Sequence, residues 1–268
     1  MTVVVTFVRH GESEDNLKSI WAGWKDSPLS DHGPQQAAAA GELFSTTKFD
    51  TIYASPLLRA NATAQAIHGR QQEPFPSFIV TPNLREQHFG AAEGSPWTYT
   101  PPEDKSLDEL FAEGIYPVLY HRDEKFPAAE SLNDLASRAE KAIMECVVPH
   151  LRSEGIAHIA MVSHGLCISE LVAALLRLDP DSRRDVSYKG LLNTAWTRAT
   201  VSFKEVATNF AEGIPPLDVQ VTHVNIADHL EDIVPFNLDA SGNSEARKFF
   251  GGGGEVAEAA QSDEKQKL

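Results

Sequence analysis

Arg9-His10-Gly11-Glu12-Ser13, Ser55-Pro56-Leu57-Leu58-Arg59 and Ser163-His164-Gly165 are three polar runs, each placed directly after an apolar stretch of the chain. Glu86 stands apart from them in Leu84-Arg85-Glu86-Gln87. Taken singly, each residue has an ordinary reading: a histidine after a strand is structural, an arginine at a helix start is solvated, a glutamate in a loop is exposed. Together they compose a chemistry. A neutral imidazole with one ring nitrogen free, and the other held on a fixed acceptor, can attack phosphorus. Guanidinium forks match the oxygens of a phosphoryl group in transfer, where negative charge spreads over three equatorial atoms. In this reading His10 is the nucleophile, and Arg9, Arg59 and His164 stabilise the transferring group. The competing site is a metal centre built from His10, His164 and Glu86 or Glu12. Two arginines beside it would repel a cation, so no metal and no cofactor are expected.

Such a site requires elements that deliver all three runs to one rim. Residues 3–8 are continuously apolar and β-branched, the pattern of a strand buried on both faces. Strands are also expected at 51–54, 78–84 and 156–162, with two further β-rich runs near 196–203 and 219–225. Helices are expected at 35–44 behind the cap Ser30-Asp31, from Ser55-Pro56 to about His68, from the cap Ser131 to about Arg152, and over 166–178. Alternating strands and helices predict a three-layer α/β/α sandwich with a mostly parallel sheet. Ligands of such sheets bind beyond the carboxyl ends of the strands, where these runs fall.

Residues 94–128 interrupt the rhythm with five prolines and six aromatic side chains. They are read as an inserted lid or cap with a short helix at 107–113, within a domain spanning 1–234. Beyond it, 235–268 carries a glycine run and a polar end and reads as a disordered tail. The two cysteines, Cys146 and Cys167, lie in apolar stretches and read as core residues. The formal net charge of -15 argues against nucleic acid or an anionic membrane as a partner. A local cluster of arginine and histidine still accommodates a small phosphorylated metabolite. No targeting or spanning segment is read, which makes the cytoplasm the default; the oligomeric state is left open.

The runs carry a resemblance. Arg9-His10-Gly11-Glu12-Ser13 is similar to the signature of the histidine phosphatase superfamily, the phosphoglycerate mutase-like group. Ser55–Arg59 resembles its second block and Ser163-His164-Gly165 its last. Pro28-Leu29-Ser30 with Gly33, and Glu130-Ser131, are weaker matches. The resemblance covers about residues 3–205. It implies that Glu86 is the proton donor, later accepting a proton from water. It also implies that Asn16 is a phosphate ligand. Gly23, and the N–H of Gly165 or Leu166 at a helix start, would complete the pocket.

Mutases of this group place an arginine after the catalytic glutamate and an arginine pair in the insert. Here Gln87 follows Glu86, and 94–128 holds no Arg-Arg. The runs 84–94 and 36–41 look most like the fructose-2,6-bisphosphatase-like branch named for the glycolysis and apoptosis regulator. The expectation is therefore a metal-independent phosphatase of sugar or glycolytic phosphates. Phosphoglycerate mutase is the alternative. A non-catalytic phosphate-binding scaffold is the second, although all six core residues are present. Lys105, His121, Arg122 and Lys125 are candidates for a second phosphate or a carboxylate, or else solvated charges. His88 reads as packing or as a substrate contact, and Trp21 and Trp24 as pocket walls or core.

Overall fold

The computed structural model describes residues 1–18, 20–97, 101–152, 154–184, 186, 188–204, 214–231 and 233; the expected tail at 235–268 lies outside the described residues. Strands β1 (Thr2–Arg9), β2 (Thr51–Ala54), β3 (Ser77–Val80), β4 (Ile156–Ser163), β5 (Trp196–Phe203) and β6 (Leu217–Ile226) form one sheet in the order β3-β2-β4-β1-β5-β6. The four that belong to the site's half, β1 to β4, run parallel, while β5 and β6 add antiparallel.

Helices α1 (Gly33–Leu43), α2 (Leu58–His68), α3 (Leu107–Ala112), α4 (Leu132–Cys146) and α5 (Gly165–Arg177) complete the regular elements. The two-residue period of the strands sorts their apolar side chains between two cores. Val3, Val5 and Phe7 of β1 join Ile159 and Met161 of β4 under α4 and α5. Val8, Ile52, Ala54, Ala160 and Val162 face α1 and α2. A strand buried on both faces needs the unbroken apolar run seen at its start. Cys146 and Cys167 are buried and free, as expected. No helix among the described residues is long and apolar enough to cross a membrane.

Several boundaries differ from the sequence reading. The strand expected over 78–84 stops at Val80, because Pro82 opens a single 3-10 turn, Pro82–Leu84. The helix expected to reach Arg152 ends at Cys146, and Val148–Arg152 forms a 3-10 turn around Pro149. The second helix begins at Leu58 rather than at Ser55-Pro56. The N-cap of α1 is His32 rather than Ser30-Asp31, although Ser30 Oγ accepts from the N–H groups of His32 and Gly33 at the helix entrance.

The segment 94–128 is tied to the core by its aromatic side chains. Phe126 packs edge-on against Trp21, Phe111 and Tyr116, with ring centroids 5.1, 5.6 and 5.6 Å away. Trp21, 2% exposed, donates its indole N–H to the Tyr116 carbonyl. Burying such rings is worth a few kcal/mol each, enough to hold the segment on the body.

Candidate active site

The sheet register levels the three runs. Arg9 pairs with Ser163 across β1 and β4, so His10 and His164 are the next residues out of adjacent strands. Ala54 pairs with Val162, which brings Ser55 to the same edge. His10 is pinned there by its backbone: its N–H donates to the Ser163 carbonyl, and its carbonyl accepts from the Thr194 N–H and the Asn193 side-chain amide.

The His10 ring is buried, with Nδ1 2.6 Å from the Gly11 carbonyl. A carbonyl only accepts, so Nδ1 carries the proton and Nε2 keeps its lone pair. Arg59 Nε lies 3.3 Å from that Nε2. Burial first, then the positive charges of Arg59 and Arg9, hold the imidazole well below the ordinary histidine range, against the Gly11 hydrogen bond. His164 lies beside it, ring centroids 5.0 Å apart, and is shifted down chiefly by burial and then by Arg59. Its Nε2 is 2.9 Å from Ser55 Oγ, while its buried Nδ1 has no hydrogen-bond partner among the described residues. Such an orphan is rare in a buried side chain and marks this ring out from an ordinary core histidine. Ser55, expected to start a helix, instead orients this ring.

Arg59 is 2% exposed and directs its two Nη groups to the Lys25 and Gly23 carbonyls at 3.1 and 2.8 Å. Gly23 thus faces the pocket at φ +51, where an added Cβ would meet the Glu93 carboxylate at 2.3 Å. Arg9 donates to the Leu191 carbonyl. Asn16 accepts from the Ser13 N–H and the Asn193 amide through Oδ1, which fixes the orientation of its own amide. These side chains enclose a cavity of about 80 Å³ lined also by Glu86, Asp15 and Gly165.

Glu86 is placed by two devices. Its carboxylate accepts from the N–H groups of Gln87, Leu166 and Cys167, so it sits on the start of α5. The Leu166 N–H, expected on the phosphate, is therefore engaged by the Glu86 carboxylate instead. The loop that carries Glu86 is gripped by Arg138 of α4, which donates to the Asn83, Arg85 and Glu86 carbonyls while pairing with Glu130 through two prongs. Arg138 and Asn193 were not singled out in the sequence; a charge on an amphipathic helix and an amide in a loop carry no local signal. The pairing partner Glu130 did register, as a weak match.

Other candidates fall outside the pocket. His88 stacks on Trp24, centroids 4.4 Å apart, and Arg85 covers the same indole at 3.5 Å. Lys105, Arg122 and Lys125 pair with Glu113, Glu170 and Asp134. Glu12, offered above as a metal ligand, accepts from Ser30 Oγ. Among the described residues no group of three His, Cys, Asp or Glu side chains is placed to hold a metal.

The histidine phosphatase superfamily (branch 1) profile matches residues 5–208. A 2,3-bisphosphoglycerate-dependent phosphoglycerate mutase of Bartonella henselae is 31% identical over 218 residues, covering 78% of this chain and 100% of that protein. The same enzyme of Brucella melitensis is 31% identical over 68% of this chain and 85% of its own. In fold, the chain is similar to a mycobacterial glucosyl-3-phosphoglycerate phosphatase (TM-score 0.61, 24% identity, 82% of this chain, 98% of that one). It is also similar to a phosphoserine phosphatase mutant from Entamoeba histolytica (TM-score 0.58, 24% identity, 85% and 99%). With its profile match, its relatives and a histidine-arginine rim at the strand ends, the chain belongs to the histidine phosphatase superfamily, branch 1, whose enzymes here are phosphatases and mutases.

Proposed function

We propose that this enzyme hydrolyses small phosphomonoesters through a phosphohistidine on His10, without a metal. The observation that carries the reading is the His10 imidazole itself. It is neutral, fixed through Nδ1, and places Nε2, which accepts from Arg59 Nε until substrate arrives, on a cavity of about 80 Å³ lined also by Arg9 and Glu86. The Nε2 lone pair forms the N–P bond as the ester P–O bond breaks, and Glu86 gives a proton to the leaving oxygen. Water then attacks phosphorus, Glu86 takes its proton, and free His10 and inorganic phosphate result. His164 Nδ1 and the two guanidinium groups stabilise the equatorial oxygens.

Two features support hydrolysis over mutation. Gln87, in place of a cation, donates its amide to the Glu130 carbonyl. Three of the insert's cations are already paired. A mutase would need fixed cations to hold the carboxylate of its substrate through two half-reactions. The mutase reading is favoured by the names of the Bartonella and Brucella relatives. Small phosphomonoesters are the substrate class proposed, and the panel that tests it spans sugar phosphates, bisphosphates and glycolytic phosphates of the cytoplasm.

The test is phosphate release from a panel of those esters by the wild type and His10→Ala, with and without EDTA. A parallel arm follows interconversion of 3- and 2-phosphoglycerate in the presence of 2,3-bisphosphoglycerate. Release abolished by His10→Ala and indifferent to EDTA is expected. Isomerisation without release, or full loss of activity in chelator, refutes the proposal.

A further inference from the structure

Glu86 lines one cavity and its chain neighbour Gln87 lines a second, so the two cavities adjoin along this loop. On one side is the small pocket with His10 and the arginines. On the other is a cavity of about 470 Å³ bounded by Gln87 and Leu166, the neighbours of Glu86 and Gly165, and by Lys189, the neighbour of Gly190 in the small pocket. Phe89 lines both. With Glu86 beside the leaving oxygen, the alcohol attached to that oxygen can leave the small pocket along Phe89, which lines both cavities, and so reach the larger one. The larger volume is that of a ligand with a ring system, not of a three-carbon acid.

The walls agree with this. Leu119, Phe126, Leu132 and Leu166 present apolar surface. Tyr120, 76% exposed, stands at the mouth with no ring packed on it among the described residues. The ionised groups nearby have internal partners: Glu130 has Arg138, Lys125 has Asp134, and Glu124 accepts from the His121 N–H. A second phosphate or a carboxylate would find few uncommitted cations.

We propose that the large cavity is the leaving-group site, and that it selects phosphomonoesters of bulky alcohols carrying a flat apolar ring over those of short polar alcohols. Residues 119–126 supply its outer wall. This rests on the hydrolytic reading of the small pocket, but its binding arm does not.

The experiment uses the full chain and a series with matched leaving-group chemistry: ethyl, benzyl and 2-naphthylmethyl phosphate for turnover. The corresponding non-hydrolysable phosphonates are titrated calorimetrically. Affinity and kcat/KM should each rise from ethyl to naphthylmethyl by roughly 10- to 100-fold, the value of burying one ring. Leu119→Trp, which fills the cavity, should flatten that rise by lowering the naphthylmethyl value far more than the ethyl value. Tyr120→Ala should lower the naphthylmethyl value about 3- to 10-fold. Equal phosphonate affinities across the series, or a Leu119→Trp effect shared equally by ethyl and naphthylmethyl compounds, overturns the leaving-group site. Graded phosphonate binding with no phosphate released from any ester would keep the site and overturn the hydrolase reading alone.

Discussion

Replacing Arg138 should separate the placing of the acid from the binding of phosphate. Its guanidinium makes five hydrogen bonds, two to Glu130 and three to the carbonyls of Asn83, Arg85 and Glu86. Both partners are largely buried, at 12% and 20% side-chain exposure. Breaking such a pair from one side costs about 3–5 kcal/mol, because it strands the other charge. Some water reaches this pair, so about 3 kcal/mol is expected for Arg138→Met, or roughly 6–12 °C in the melting temperature. Arg138→Lys keeps the charge without the fork and should recover only part of this. Stability alone would not distinguish a positioning residue from a structural one. The kinetic split does. A loop free to shift by about 1 Å misplaces Glu86, and kcat should fall on the order of 10- to 100-fold. His10, His164 and Arg9 sit at other strand ends and Arg59 on α2, so the inhibition constant for inorganic phosphate should stay within about threefold. Steady-state kinetics, phosphate inhibition and thermal melts on the same preparations decide it. A variant that melts lower but keeps kcat within twofold refutes the reasoning.

Three more expectations follow from the geometry. Gly90 has φ +53, and a Cβ there would lie 2.3 Å from the Pro127 carbonyl, a backbone atom with little room to move. Gly90→Ala should therefore cost at least about 2 kcal/mol by denaturant titration; a loss under about 0.5 would mean the close approach is unimportant. In the proposed mechanism the neutral His10 is the competent form, and its folded pKa lies below the ordinary 6.5, so kcat/KM should persist as pH falls through 6.5 and fail only lower. In NMR titrations of the free protein, Arg59→Gln should move the His10 transition upward, and a downward move contradicts the assignment. His158, pushed down to about 4 mainly by burial, is neutral when folded but takes a proton when unfolded below about 6.5. Its stabilisation is complete above 6.5 and lost as pH falls towards 4. His158→Gln should flatten that decline by up to about 1 kcal/mol per pH unit after solvent screening, measured by urea unfolding at pH 5, 6 and 7.

What could be read in the sequence divides along physical lines. Residues 3–8 declared a doubly buried strand because two cores demand apolar or β-branched side chains, and the polar residue among them, Thr6, spends its hydroxyl on His158 and Arg198. His10, Arg59 and His164 were legible because their runs begin where strands stop, and parallel strands must stop together. Arg138 was not legible, since the Asn83–Glu86 carbonyls that define its role come from a loop 52 to 55 positions away. Leu166 was half legible: its N–H does serve an anion at a helix start, but that anion is the Glu86 carboxylate. Backbone donors at a helix end attract any carboxylate that the chain can deliver, and sequence spacing does not rank a side chain against a ligand.

The same distinction explains how a chain of net charge -15 keeps a cationic bowl. Carboxylates crowd the site, and Glu86, Asp26, Asp15 and Glu93 all act on Arg59 through space. Three of them are nevertheless hydrogen-bonded elsewhere, and Asp15 pairs with Lys18 at 3.5 Å. Glu86 sits on the N–H groups of α5, Asp26 accepts from the Leu58 N–H, and Glu93 accepts from the N–H groups of Trp24 and Phe89. The Arg59 guanidinium in turn is held by the Lys25 and Gly23 carbonyls and by His10 Nε2, all uncharged acceptors. A carbonyl dipole fixes a guanidinium without cancelling its charge, whereas a direct ion pair would do both. Through neutral scaffolding the fork stays rigid and keeps its charge for a dianion, while the surrounding carboxylates limit the cost of burying it. A carboxylate introduced at Gly23 or Lys25 would break this arrangement by pairing with Arg59 directly, and would weaken phosphate binding even though every family residue remained in place.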